Sequence, residues 1–100
     1  MVLGILAAMN AIKLSDNEKT ALALLYRSGG LLVTAIESKT ETDFLGRVIP
    51  GRGVFNRIIK KGLAYQTEEP VLEDGFQFTE TIELSDEGEV LARKFSQEGY

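Results

Sequence analysis

Five residues able to hydrogen-bond or pair ionically crowd one stretch of ten, RGVFNRIIKK: Arg52, Asn56, Arg57, Lys60 and Lys61, with Arg47 just upstream. A guanidinium or a carboxamide can bond two acceptors at once, on a base edge or on a carboxylate. An ammonium acts as a point charge toward phosphate or carboxylate. This is the chemistry of binding, not of turnover. The chain has no histidine and no cysteine, so it lacks the commonest general base, a thiol nucleophile and the usual zinc ligands. Paired carboxylates such as Glu68/Glu69 and Asp86/Glu87 are sequence neighbours, a spacing that does not bring them to bear on one point. No catalytic residue, metal site or cofactor is expected. GRVIPGRG, residues 46–53, departs from a phosphate loop where it matters, with Arg52 at the lysine position and Gly53 at the hydroxyl position.

The bases are set in an acidic chain of net charge −4. Residues 1–66 hold nine bases and five acids, residues 67–100 two bases and ten acids, and no acid occurs from Phe44 to Gln66. A locally basic element is thus followed by an acidic one. At 100 residues the chain suits a single domain with a modest core, and 44% apolar against 26% charged residues is an ordinary globular balance.

The positioning elements can be read from their punctuation. Ser15-Asp16-Asn17-Glu18 forms a capping box, and Gly29-Gly30 suits a C-terminal cap, which predicts a helix over 16–28. LLVTAIES, residues 31–38, reads as a strand from its β-branched content, although a buried helix would carry the same run. TETDFLGRV, residues 40–48, has threonine caps and acids ahead of a short apolar pattern and predicts a helix of two turns, broken at Pro50. Over 52–61, successive residues about 100° apart place Val54, Phe55, Ile58 and Ile59 on one arc. Arg52, Gly53, Asn56, Arg57, Lys60 and Lys61 fill the other, giving one core face and one basic face. The spacing sets Phe55, Phe44 and Tyr65 down as core residues. LAYQTEE and FQFTETIEL alternate and read as a β-hairpin around PVLEDG, with Glu80 intruding on the apolar face at a bulge or at the exposed end. SDEGEVLARKF restarts a helix with Ser85 as cap and an apolar stripe of Val90, Leu91 and Phe95.

The N-terminal run MVLGILAAMNAI has no base before Lys13 and is shorter than the roughly 20 residues of a membrane span. Residues 1–14 are expected to form an apolar arm or helix, packed on the body or serving as a dimerisation element, with residues 15–100 the domain proper. No membrane association and a cytoplasmic location are expected.

This order of elements resembles a winged helix-turn-helix domain. FNRIIKKGLAYQTEE is similar to the end of a recognition helix running through its glycine into the first wing strand. IELSDEGEVLARKF resembles the second wing strand and closing helix of MarR-type regulators, where L-[ST]-x-E-G phrases are common. The resemblance covers roughly residues 15–97 and implies an α+β fold: a small winged helix-turn-helix domain with an additional apolar N-terminal segment. It implies a recognition helix at 52–61 and a wing tip at 69–75. Arg52 and Asn56 would then read guanine and adenine edges, while Arg47, Arg57, Lys60 and Lys61 contact phosphates. The expected function is a small regulator binding double-stranded DNA as a homodimer. The alternative is a winged-helix module, for example a phage or mobile-element protein acting on a host complex, whose same helix docks an acidic protein partner. The wing departs from the DNA-binding pattern: it carries Glu68, Glu69, Glu73 and Asp74 and no base, and carboxylates there would face phosphates.

Overall fold

The computed structural model describes residues 12–32, 36–67, 71–73, 76–78 and 81–100. The expectations for residues 1–11, for 33–35, for most of the wing tip and for Glu68, Glu69, Asp74 and Glu80 lie outside these.

Helix α1 (Asp16–Ser28) starts at the capping box foreseen: the Ser15 hydroxyl accepts from Glu18 N–H at 3.2 Å, and the Glu18 carboxylate accepts from Ser15 N–H at 3.3 Å. It stops at Gly29, which sits in the left-handed region (φ 70°) and donates its N–H to the Leu25 carbonyl. Of the strand expected over 31–38, Leu31–Leu32 form β1, whereas residues 36–38 are not strand.

The two-turn helix expected over 40–48 is instead a β-hairpin, β2 (Glu41–Thr42) and β3 (Val48–Ile49), with Thr42 opposite Val48. The reason is the Asp43 side chain. Its Oδ1 accepts from the N–H groups of Leu45 and Arg47, both at 2.9 Å, and its Oδ2 from Arg47 Nε at 2.8 Å. Gly46 takes φ 80°, completing a turn that a helix cannot accommodate. A helix of two turns has little cooperative stability of its own to oppose this. Pro50 therefore follows a strand, not a helix.

Helix α2 (Arg52–Lys60) buries Val54, Phe55 and Ile58 as its pattern foretold, with Ile59 partly buried. Its start is pressed against residues 37–40: Arg52 N–H donates to the Glu37 carbonyl at 2.8 Å and Gly51 N–H to the Thr40 hydroxyl at 3.1 Å. A Cβ on Gly51 would collide with the backbone of Lys39 and Thr40.

Strand β4 (Ala64–Thr67) pairs antiparallel with β7 (Thr81–Leu84), and β7 pairs on its other edge with β1, giving the sheet order β1-β7-β4. The expected loop around PVLEDG contains further strand, because β5 (Val71–Glu73) pairs with β6 (Phe76–Phe78) and only Asp74 and Gly75 separate them. Gln66 faces Ile82 in one ladder and Val71 faces Phe78 in the other, so the register shifts by one residue between the two.

Helix α3 (Asp86–Gln97) is capped by Ser85, whose hydroxyl accepts from Gly88 N–H at 3.1 Å and donates to the Gly62 carbonyl at 2.7 Å. Its buried stripe is Gly88, Leu91, Ala92 and Phe95, and Val90 points outward. The spacing i, i+3, i+4, i+7 puts Ala92 where Val90 was expected. Gly88 is the point of closest approach, since a Cβ there would strike the Leu63 carbonyl.

The core gathers Leu22 and Leu25 from α1, Phe55 and Ile58 from α2, Leu63, Ile82, and Leu91 and Phe95 from α3. Tyr100 closes one end, its ring edge-on to Phe95 at 5.8 Å and its hydroxyl donating to Asp16, while Lys19 Nζ lies over both rings. No helix among the described residues is long and apolar enough to cross a membrane.

Candidate interaction surfaces

Helix α2 presents Asn56, Arg57 and Lys60 to solvent, with no acid on the helix. Its capped start places Arg52 half-buried at the edge of this face. The other two sequence-predicted bases are engaged elsewhere. Lys61 stands at the C-terminal end of α2, and its Nζ bonds both the Lys13 carbonyl (2.7 Å) and the Glu18 carboxylate. Arg47 sits on the hairpin, bonded to Asp43 as described, away from α2 in sequence and in its partners. The structure thus groups three of the six expected residues as an exposed cluster.

Glu18 organises this side of the molecule. Its side chain is 6% exposed, and Arg57 Nε lies 4.0 Å from it, beside the Lys61 contact. Burial alone would raise its pKa, but the hydrogen bonds from Lys61 and Ser15, with the Lys61 charge, outweigh burial and hold the carboxyl below its ordinary value. Arg57, with 54% of its side chain exposed, is left facing outward with part of its charge countered.

A second surface has no counterpart in the sequence-based reading. At the tip of the β2–β3 hairpin Phe44 is 93% and Leu45 63% exposed, and Val48 and Ile49 behind them are also open to solvent. Phe44 was expected in the core. Its place on the turn follows from Asp43 acting as a turn former, and the signal was present in the sequence as Asp43 followed by Gly46 between β-branched residues. The side chains of Phe44 and Leu45 take no part in the turn's hydrogen bonding, which the Asp43 carboxylate organises by accepting from Leu45 and Arg47. The backbone N–H of Arg47 first, with those of Leu45 and the Arg47 side chain, holds the Asp43 carboxyl below its usual value against a smaller effect of desolvation. Beside the hairpin runs a groove of about 680 Å³, lined by Thr20, Leu24 and Arg27 of α1 and by Val48, Ile49 and Tyr100.

Tyr65, also expected in the core, is exposed on β4 and donates its hydroxyl to Glu83 at 3.0 Å, an acceptor bond that raises the phenol's pKa. No group of histidine, cysteine or carboxylate residues suited to a metal occurs among the described residues. No family model matches the chain, and no curated protein and no solved structure matches it either.

Proposed function

We propose that the protein is a winged-helix-type interaction module whose α2 face docks an acidic surface of another protein. The observation that carries this reading is the combination of an exposed cluster of Asn56, Arg57 and Lys60, on a helix that itself carries no acid, with a helix start closed by residues 37–40. Helix-turn-helix proteins bring the first residues of the recognition helix to base edges. Here the backbone of Lys39 and Thr40 packs directly on Gly51 at that start, so contact through the side of the helix is favoured. Two bases that would have flanked a duplex, Arg47 and Lys61, are paired with Asp43 and Glu18. The acidic wing sequence opposes the phosphates that run along the whole of a duplex, whereas a protein partner can confine its acids to the patch that meets α2. The order of helices and the three-stranded sheet support the winged-helix assignment, with the β2–β3 hairpin in place of the short helix before α2.

A second reading, a DNA-binding regulator, is favoured by one feature: the same cluster offers two bases and a carboxamide within two turns. Fluorescence anisotropy with mixed duplex fragments from low to moderate salt separates the two. The docking reading expects no binding at low salt, together with a protein partner retained by the wild type and lost by Arg57→Glu/Lys60→Glu. Micromolar duplex binding that falls steeply with salt would replace it with the DNA reading.

A further inference from the structure

We propose that the cleft between the C-terminal end of α1, the β4–β7 strand pair and the start of α3 binds a guanidinium group, carried by an arginine side chain of a polypeptide or by a free alkylguanidine. The cleft shares no residue with the α2 face, and the inference does not depend on the function proposed for that helix.

The cleft has a volume of about 310 Å³, at the small end of ligand sites and suited to one side-chain head group. Three parts of the chain build it. Tyr65 on β4 and Glu83 on β7 are directly opposed in the antiparallel register, so both side chains leave the sheet on one face. Their neighbours Ala64 and Ile82 are buried, which turns that face away from the core. Tyr26 comes from the last turn of α1 and Glu89 from the first turn of α3. Gly29 and Gly30, both at positive φ, carry the chain out of α1 without side chains. A Cβ on Gly30 would stand 3.7 Å from Glu83 Cγ and crowd the stem of that carboxylate.

This lining favours a cation with several donors. Two carboxylates face the cleft, and none of the described Lys or Arg residues lines it. The end of α1 adds the negative pole of the helix dipole and its last carbonyls. Glu83 keeps capacity: its Oε2 accepts the Tyr65 hydroxyl at 3.0 Å, and a carboxylate has lone pairs for further donors on both oxygens. Glu89 lies 3.9 Å from Arg93, an exposed pair one turn apart and too long for a hydrogen bond, which leaves the carboxylate open to a better donor. The two tyrosines select the kind of cation. An ammonium is compact and strongly hydrated, whereas a guanidinium is planar, weakly hydrated and stacks on a phenol ring while its five N–H donors reach carboxylates in the same plane.

Titration of the isotopically labelled full chain with acetyl-Gly-Arg-Gly-amide, followed by amide chemical shifts, tests this. The citrulline and lysine counterparts of the peptide, and agmatine, are run at equal ionic strength. The expected result is saturable movement of the Gly29, Gly30 and Glu83 amides, with the citrulline peptide, which keeps the shape without the charge, bound at least about tenfold more weakly. Glu83→Gln retains an acceptor for Tyr65 and should weaken arginine binding about tenfold with an unchanged melting curve. Tyr26→Ala should weaken it about threefold, the loss of one stacking face. Tighter binding of the peptide than of agmatine assigns the site to a polypeptide arginine, and equal binding assigns it to free alkylguanidines. Citrulline or lysine peptides bound as well as arginine overturn the proposal. So do shifts that never saturate, and binding indifferent to Glu83→Gln.

Discussion

Phe55 and Phe44 lie eleven positions apart and have opposite fates. Phe55 is 1% exposed, enclosed by the inner faces of α1, α2 and α3; Phe44 is 93% exposed on a hairpin built from polar hydrogen bonds. The body of the molecule gains its shape by burying apolar side chains. The hairpin gains its shape from Asp43, whose three accepted hydrogen bonds leave its apolar residues unspent. When a segment is ordered by its polar groups, its exposed apolar groups are available for another surface.

The widest separation between the two regions is expected from truncating the two phenylalanines. Phe55→Ala should cost about 3–5 kcal/mol in urea unfolding, whereas Phe44→Ala should lie within about 0.5 kcal/mol of wild type. Equal costs would erase the distinction. Gly88→Ala is the next strongest test of the body, because the added methyl meets the rigid Leu63 carbonyl and not a side chain that can yield. A loss of about 1–3 kcal/mol is expected, read by thermal unfolding.

Glu18→Gln keeps a capping side chain but removes the charge held by Lys61, and should cost about 1 kcal/mol at neutral pH. The sign of its pH dependence follows from a carboxyl whose folded pKa is lowered. Its stabilisation is full above the ordinary value of 4.5 and is lost as pH falls through the lower folded value. Unfolding curves on the acid side should therefore be flatter for Glu18→Gln than for wild type. The smallest effect on global stability is expected for Asp43→Ala, whose consequence is local. Amide exchange at Leu45 and Arg47 should accelerate while the protection of α1 and α3 stays as it was. Loss of protection throughout would make the hairpin part of the core after all.

Helices α1, α2 and α3 were legible because their signals are local: Ser15 with Glu18, Gly29, the Val54–Phe55–Ile58 arc and Ser85 all act within a turn of where they stand. The hairpin was misread because strands of two residues carry no period, and Thr40, Asp43 and the apolar pair fit a helix start as well as a turn. What decided between them was one side chain accepting from two N–H groups, a geometry that composition does not display. In α3 the choice between Val90 and Ala92 turned on helix–backbone contact at Gly88, where a small neighbour suits close approach. At the candidate site the basic face was visible, but its counterions were not. Glu18 and Lys61 are 43 positions apart, and no pattern within a helix anticipates their contact. The α+β class was thus readable, and the division of the bases into exposed and engaged was not.

The packing of α1 against α3, the most extensive between any two described elements, has a kinetic consequence. These helices stand near opposite ends of the sequence, so their contact closes a long loop of chain. The packing of α1 on α2, nearer in sequence, is less extensive and leaves the larger closure to α3 still to be made. The rate-limiting event should be this long-range docking rather than helix formation, and the domain should fold more slowly than its helical content would suggest.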